Sequence, residues 1–134
     1  METTTSPLSL HDEFVACVNL GDLSTLAELL EPDAVMGDRD GTRVVGRAAV
    51  AGRLAQLLSL APTMTSRIRV SVIVQNIALV VSEWEVHGVT PAGDDFRDSG
   101  TSYDTYRRGE DGRWRIAIDN PRHVLPASDG AGLG

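Results

Sequence analysis

The sequence contains no lysine: its twelve cationic side chains, histidine aside, are all arginines. Without lysine no Schiff base can form on the chain, which excludes pyridoxal enzymes and lysine aldolases, and no P-loop can be completed. Cys17 is the only cysteine, so an internal disulfide and a cysteine-cluster metal site are also excluded. No two histidines stand at ligand spacing, and we therefore expect neither a bound metal nor a cofactor.

Positive charge and long apolar runs are scarce as well. The net charge is −7 at pH 7, which argues against nucleic acid and anionic membranes as partners, because both are bound through basic surfaces. No apolar run approaches the ~20 residues of a membrane span. The first residues carry neither a basic segment nor an apolar core, so no secretory signal is visible and a cytoplasmic protein is expected.

The length of 134 residues suits one domain with a core of its own. We predict a disordered start over 1–7, a single folded domain over 8–121 and a flexible tail over 122–134.

Hydrophobic periodicity predicts an α+β order within this domain. Apolar residues at helical spacing indicate three helices, which end at Gly21, at Pro32 and before Pro62. Two short strands, 34–36 and 42–45, separate the second helix from the third. Alternating patterns then predict four antiparallel strands, 67–75, 77–88, 96–108 and 113–119. Segregated helices and antiparallel strands are typical of the α+β class.

The last hairpin brings two carboxylates onto one face of the sheet. If the Asp-Gly dipeptide at 111–112 forms a two-residue turn, Asp104 lies opposite Asp119; with a four-residue loop it lies opposite Ala117. In both registers Asp104 and Asp119 share a face. Two carboxyl groups this close together favour a state in which one of them keeps its proton. Two other interpretations remain open: the face is solvated, or Arg115, which has the same parity, neutralises one acid.

Parity also sorts the remaining side chains of the sheet. Trp114, Ile116 and Ile118 are predicted on the opposite face of the last hairpin, in the core or at a dimer interface. In the hairpin before it, Ile68 and Val70 are predicted to share one face. The other face of that hairpin carries Val80, Ser82 and Trp84.

Asp38 follows the first short strand and precedes an Arg-Asp-Gly turn. A carboxylate there has two interpretations. It can be a base at the edge of a pocket, or it can start the turn by bonding its own backbone.

Several segments resemble the NTF2-like superfamily, in particular its SnoaL-like and SgcJ/EcaC-type branch. They are FVACVNLGDL at 14–23, PDAVM at 32–36, Gly-Arg at 46–47 and DGRWRIAIDNP at 111–121. The resemblance implies an α+β cone with a cystatin-like fold. In such a cone three N-terminal helices pack on a curved, mainly antiparallel sheet and enclose a pocket. It also implies a homodimer.

Within that superfamily the chain is similar to ketosteroid isomerase. The likeness implies that Asp38 is the catalytic general base and Asp104 a catalytic acid that is protonated and stabilises an oxyanion. The tyrosine of that oxyanion hole falls at Phe14, and Tyr106 has the strand parity to replace its hydroxyl. The residues that we expect to contact the substrate are Phe14, Trp84, Tyr106 and Asp119.

The resemblance and the acid pair together predict a pocket protein for a small hydrophobic molecule. It would be a cofactor-independent isomerase or cyclase that moves a proton on a carbonyl compound such as a polyketide or steroid. One alternative is a non-catalytic module that binds a ligand or dimerises. Another is a limonene-type epoxide hydrolase, in which Arg115 or Arg69 would complete an Asp-Arg-Asp set.

Overall fold

A computed structural model describes residues 4–123, which form three helices packed on one face of a six-stranded sheet. The elements are α1 (Pro7–Leu20), α2 (Leu23–Glu28), β1 (Leu30–Gly37), β2 (Arg43–Val45), α3 (Arg47–Leu58), β3 (Thr63–Val74), β4 (Ile77–Val89), β5 (Asp95–Arg108) and β6 (Trp114–Asp119). The strand order is β2-β1-β6-β5-β4-β3. Only the β1–β6 pair among these is parallel, so the α+β class and the mainly antiparallel sheet are confirmed.

Local sequence signals set the ends of the first two helices. The hydroxyl of Ser6 accepts a hydrogen bond from the backbone N–H of Ser9 at 3.0 Å and caps α1. Gly21 ends this helix at φ 71°, a left-handed conformation that glycine adopts without strain. Asp22 then caps α2 through the backbone N–H of Thr25 at 3.0 Å. The predicted end of the first helix at Gly21 is confirmed.

The chain before α1 is ordered from Thr4 onward, unlike the disordered start predicted over 1–7. Thr4 is buried, and its hydroxyl donates to the carbonyl of Trp114 at 2.7 Å. The Trp114 N–H donates back to the Thr4 carbonyl at 2.7 Å. Residues 1–3, and the part of the predicted flexible tail at 124–134, lie outside the described residues.

β1 is longer than predicted, because Pro32 lies inside the strand and does not end α2. Proline has no N–H to donate to a neighbouring strand. The β1–β6 pairing shifts register between Leu30 and Val35, which includes this position. A strand irregularity thus accommodates the proline that the sequence pattern marked as a helix stop.

The final hairpin differs from both predicted registers. The Gly109 N–H donates to the Arg113 carbonyl at 2.8 Å, which leaves a loop of three residues. This odd length reverses side-chain parity, so Trp114 and Ile116 turn inward, where both are buried. The prediction that they share a face with Ile118 is wrong, whereas the predicted packing of Trp114 in the core is confirmed.

A β-bulge then reverses the parity of β6 a second time. Ala117 is the extra residue where β6 pairs with β5. Beyond it Ile118 is exposed and Asp119 is buried, so Asp104 and Asp119 lie on the same inner face, as predicted. Arg115 precedes the bulge and faces outward, and the prediction that it shares a face with Asp104 is wrong.

β3 contains a similar irregularity at Arg69. Ile68 pairs with Ser82, whereas Val70 pairs with Val81, so Arg69 is the extra residue. Ile68 therefore packs against the core while Val70 is exposed. The prediction that these two side chains share a face is wrong.

Candidate functional site

A cavity of about 260 Å³ lies between the inner face of the sheet and the helices α1 and α3. All six predicted site residues line it: Phe14, Asp38, Trp84, Asp104, Tyr106 and Asp119. Most of the other wall is hydrocarbon, contributed by Val15, Met36, Leu54, Leu57, Leu60, Met64, Val86 and Ile116. The sequence thus identified residues that the fold brings together from both ends of the chain.

The floor of the cavity carries the acid pair. Asp104 and Asp119 are each only 8% exposed and hydrogen-bonded to each other. Oδ1 of Asp104 accepts the Ser102 hydroxyl at 2.6 Å and the Asn120 N–H at 3.0 Å. This last bond means that Asp104, and not Asp119, fixes the turn at the end of β6.

Burial determines the protonation of this pair. Burial raises the pKa of Asp104 to about 6, although the donors Ser102 and Asn120 oppose the shift. Burial, with the negative charge of Asp104 next to it, raises the pKa of Asp119 well above its usual range. Donors that favour the ionised form of Asp104 leave the shared proton on Asp119. The resemblance implies the proton on Asp104, whereas these donors favour it on Asp119; retention of one proton by the pair agrees with both.

Tyr106 provides a hydroxyl beside the pair. Its side chain is only 2% exposed and lines the same cavity. Burial and the charges of Asp104 and Asp119 raise the pKa of this hydroxyl well above its usual range, so it remains a donor at neutral pH. Phe14 contributes only hydrocarbon from α1. The Tyr106 hydroxyl, in addition to the acid pair, is thus available to a bound oxygen.

His11 is a pocket residue that the sequence analysis missed. It is 7% exposed on α1, and its Nε2 lies 2.8 Å from the Ser66 hydroxyl on β3. Burial lowers the pKa of His11 in spite of the opposing effect of Asp12. A signal was present, because His11 precedes Phe14 by three residues and thus lies on the same side of the helix.

Trp84 forms one wall of the cavity and lies on the same sheet face as Asp104. Its indole N–H donates to the Pro121 carbonyl at 2.8 Å, which ties the end of the domain to β4. Gly100 lies directly across on β5, where an added Cβ would come within 2.9 Å of the indole ring. The lack of a side chain at this glycine leaves the space that the indole fills.

Asp38 starts the predicted turn and also lies at the edge of the cavity. Its carbonyl accepts the Gly41 N–H at 2.9 Å, which closes the turn, and its side chain lines the cavity. Oδ1 accepts the Arg39 backbone N–H at 2.8 Å and Oδ2 accepts Arg53 Nε at 2.9 Å. The carboxylate is therefore at the mouth, 29% exposed and paired with Arg53 on α3.

A second ion-pair group borders the same mouth, and the sequence analysis missed it too. Asp98 on β5 binds the guanidinium groups of both Arg39, at 2.8 Å, and Arg122. The Arg122 guanidinium carbon also lies 5.2 Å from the centre of the Trp84 ring. Burial raises the pKa of Asp98, but these arginines outweigh it and the pKa is lowered overall.

Two arginines named for an epoxide hydrolase set lie elsewhere. Arg115 binds Asp111 at 2.6 Å beside the last hairpin loop, and Arg69 binds Glu83 at 2.9 Å on the outer face. Neither lines the cavity.

In the described part of the chain no group of three potential ligands converges on a metal site. None of the helices within residues 4–123 is long and apolar enough to cross a membrane.

Comparison with known proteins places this geometry in a family. A family model described as the SnoaL-like domain matches residues 11–116. A Mycobacterium tuberculosis protein of unknown function has a TM-score of 0.73 at 21% identity, with 86% of this chain and 72% of that chain covered. A ketosteroid isomerase-like protein from Erwinia carotovora atroseptica has a TM-score of 0.74 at 17% identity, with 84% and 88% covered.

An NTF2-like protein with a cystatin-like fold from Novosphingobium aromaticivorans has a TM-score of 0.71 at 19% identity, with 91% of this chain and 81% of that chain covered. Among the curated proteins, none is similar enough in sequence to count as a relative. Identities this low establish a common fold, and the SgcJ/EcaC-type branch stays a prediction. The family model, however, extends over both halves of the cavity, from α1 to β6, and the chain therefore belongs to the SnoaL-like domain family of the NTF2-like superfamily.

Proposed function

We propose that this protein binds a small apolar carbonyl compound in the cavity and transfers a proton on it without a cofactor, as an isomerase or a cyclase. The proposal is carried by one observation, the buried pair Asp104–Asp119 on the floor of a cavity whose walls are mostly hydrocarbon. A carboxyl group that stays protonated at neutral pH can donate a hydrogen bond to a carbonyl oxygen and stabilise the enolate that forms from it.

The chemistry divides between the two ends of the cavity. The carbonyl oxygen of the substrate lies on the floor, where it replaces Asp104 as the acceptor of the Asp119 proton and accepts a second hydrogen bond from the Tyr106 hydroxyl. Asp38, one of two acids at the mouth of the cavity, removes a proton from the carbon next to the carbonyl. Its ion pair with Arg53 fixes its orientation but occupies one of its oxygens, so we expect slow turnover on unactivated ketones.

The experiment is hydrogen–deuterium exchange of β-tetralone, a bicyclic ketone small enough for the cavity, followed by NMR in deuterated buffer at pH 7. We expect the protein to accelerate exchange next to the carbonyl. Asp38→Asn removes the base and should lower the protein-dependent rate about 100-fold or more. Asp119→Asn should lower it by a similar factor, because an amide is a much weaker acid than the carboxyl group that it replaces.

Asp33→Asn is the matched control, since Asp33 is exposed on β1 and does not line the cavity. It changes the net charge by the same amount and should leave the exchange rate as it is. If the wild-type protein binds the ketone but does not accelerate exchange, the proton-transfer proposal is wrong.

That outcome would favour the second candidate, a non-catalytic module for the same class of ligand. Two observations favour it specifically. The carboxylate of Asp38 is already occupied by the Arg39 N–H and by Arg53, and Phe14 offers no hydroxyl where the resemblance implies one. Binding to such a module would be insensitive to Asp38→Asn.

A further inference from the structure

The mouth of the cavity carries a local excess of positive charge on a protein whose net charge is −7. Three arginines line it, Arg39, Arg53 and Arg122, and two carboxylates face them, Asp38 and Asp98. Asp38 binds Arg53, whereas Asp98 is shared by two guanidinium groups. Among these five side chains the arginines therefore exceed the carboxylates by one.

The two guanidinium groups that bind Asp98 also have further N–H donors. Each guanidinium has five N–H donors, and both Arg39 and Arg122 reach the same oxygen, Oδ2 of Asp98. Arg122 is further held by the face of Trp84, so its position on the cavity wall is fixed. Arg39 is 64% exposed and its remaining donors face solvent. A planar carboxylate accepts two parallel hydrogen bonds from such a group.

The opposite end of the cavity repels an anion. The ionised Asp104 lies there beside Asp119, buried where its charge is poorly screened. A ligand with one carboxylate and one carbonyl group can therefore enter in one orientation only, with its carbonyl on the floor and its carboxylate at the arginines.

We infer that the cavity has an anion subsite, formed by Arg39 and Arg122 around Asp98, and that its ligands are apolar oxo acids that carry a carboxylate a few bonds from the carbonyl. This inference rests on the proposed function for the position of the carbonyl. The ligand carboxylate binds the free donors of the two arginines and compensates the positive charge that Asp98 leaves. Entry of an anion at this mouth would also explain why three arginines surround one opening of a strongly acidic protein.

The test compares two ligands that differ only in charge, 3-benzoylpropionate and its primary amide, by calorimetric titration at pH 7.5. We expect the acid to bind about tenfold more tightly than the amide at low salt, and the difference to shrink in high salt. Arg39→Gln should remove most of this preference without weakening binding of the amide. Arg69→Gln is the matched control, because Arg69 pairs with Glu83 outside the cavity.

Asp98→Asn should change the affinity for the acid in the opposite direction. Without the competing carboxylate both guanidinium groups are released, so the acid should bind several-fold more tightly than to the wild-type protein. A general loss of structure could not raise affinity, which separates this result from misfolding. Equal affinity of the acid and the amide for the wild-type protein would overturn the subsite.

Proton exchange next to the carbonyl, measured on the same two ligands, separates this inference from the proposed function. If the acid and the amide bind equally and both exchange, the subsite is wrong and the proposed function stands. If the acid is preferred but neither exchanges, the subsite stands and the proton transfer is wrong. If neither ligand binds at millimolar concentration, both are wrong.

Discussion

The two buried carboxylates have opposite hydrogen-bonding roles although they are chemically identical. Asp104 accepts bonds from Ser102 and Asn120, while Asp119 lies against Asp104 and keeps the proton. Each is buried to the same extent, so local donors, and not burial, decide which of the two ionises. This arrangement has a cost, because ionisation of a second carboxyl group in the same site is strongly unfavourable.

The cost makes the stability of the protein depend on pH. Since burial raises the pKa of Asp104 to about 6 and that of Asp119 well above its usual range, the native state holds more protons than the unfolded state once the pH exceeds about 4. The free energy of unfolding contributed by this pair is therefore greatest at low pH and falls as the pH rises through these pKa values.

Asp119→Asn should flatten this dependence. The amide of asparagine can donate to Asp104 as the protonated carboxyl does, but it does not titrate. We expect the variant to equal the wild-type protein at pH 4.5 and to exceed it by about 1–3 kcal/mol at pH 8, measured by urea denaturation. Asp33→Asn, on the exposed part of β1, controls for net charge. Parallel stability curves for wild type and Asp119→Asn would contradict the assignment.

Individual site residues could be predicted from sequence where spacing alone decides proximity. Asp104 and Tyr106 are two residues apart on one strand, so they share a face in any register. His11 and Ser66 lie 55 positions apart, and their contact depends on how α1 crosses β3, which no local pattern encodes. The same is true of Asp98, since its position at the mouth depends on where Pro121 and Arg122 turn back over Trp84.

At the scale of the element, the sheet depends on irregularities that the sequence hides. The loop after β5 has an odd number of residues, and the bulge at Ala117 compensates for it. The predicted registers contained neither the odd loop nor the bulge. Asp119 was therefore predicted on the correct face, but Trp114 and Ile116 were predicted on the wrong one. A bulge at a small residue leaves no mark in a pattern of alternating hydrophobicity, because the pattern simply shifts by one.

Helix ends were predictable because single side chains determine them. Ser6, Gly21 and Asp22 each satisfy backbone groups that a helix end leaves without partners. Pro32 misled the prediction, since a proline after a helix is compatible both with a stop and with an irregular strand. The helices were therefore predicted better than the first strand, which ends directly before Asp38 at the cavity mouth.

Ser6→Ala tests the cap that positions α1, the helix that carries His11 and Phe14 into the cavity. The substitution removes the bond from the Ser9 N–H to the Ser6 hydroxyl and should cost about 1 kcal/mol of unfolding free energy in chemical denaturation. Ser24→Ala, at an exposed position of α2, is the control and should leave stability within about 0.5 kcal/mol. Equal losses in the two variants would mean that the cap contributes nothing specific.

At the scale of the whole molecule, the outer face of the sheet is unusually apolar. One row of side chains crosses all six strands in register, with Val45, Val35, Ile118, Thr105, Leu79 and Val72. Several of these are large hydrophobic residues that are 37–63% exposed. Ion pairs flank the row, Arg69 with Glu83 on one side and Arg107 with Glu31 on the other.

An apolar centre with a charged rim is the anatomy of a protein interface. We expect a second copy of the same chain to cover this face. A two-fold axis through the row would stack apolar side chains on each other and allow the flanking arginines of one copy to face the acidic residues of the other. The cavity lies on the opposite face of the sheet, so such a dimer would leave both mouths open.

Leu79→Arg tests this arrangement. Leu79 lies on β4, near the middle of the apolar row, and is 43% exposed, so an arginine there can be accommodated in a monomer but would place two like charges at a dimer axis. We expect the wild-type protein to be dimeric and the variant to be monomeric at tens of micromolar in sedimentation velocity, with unchanged far-ultraviolet circular dichroism. Leu20→Arg is the control, because Leu20 is 79% exposed at the end of α1 and away from this face. A monomeric wild-type protein would contradict the dimer, and a dimer that survives Leu79→Arg but not Leu20→Arg would move the interface to the helical side, where it would cover α1 and restrict access to the cavity.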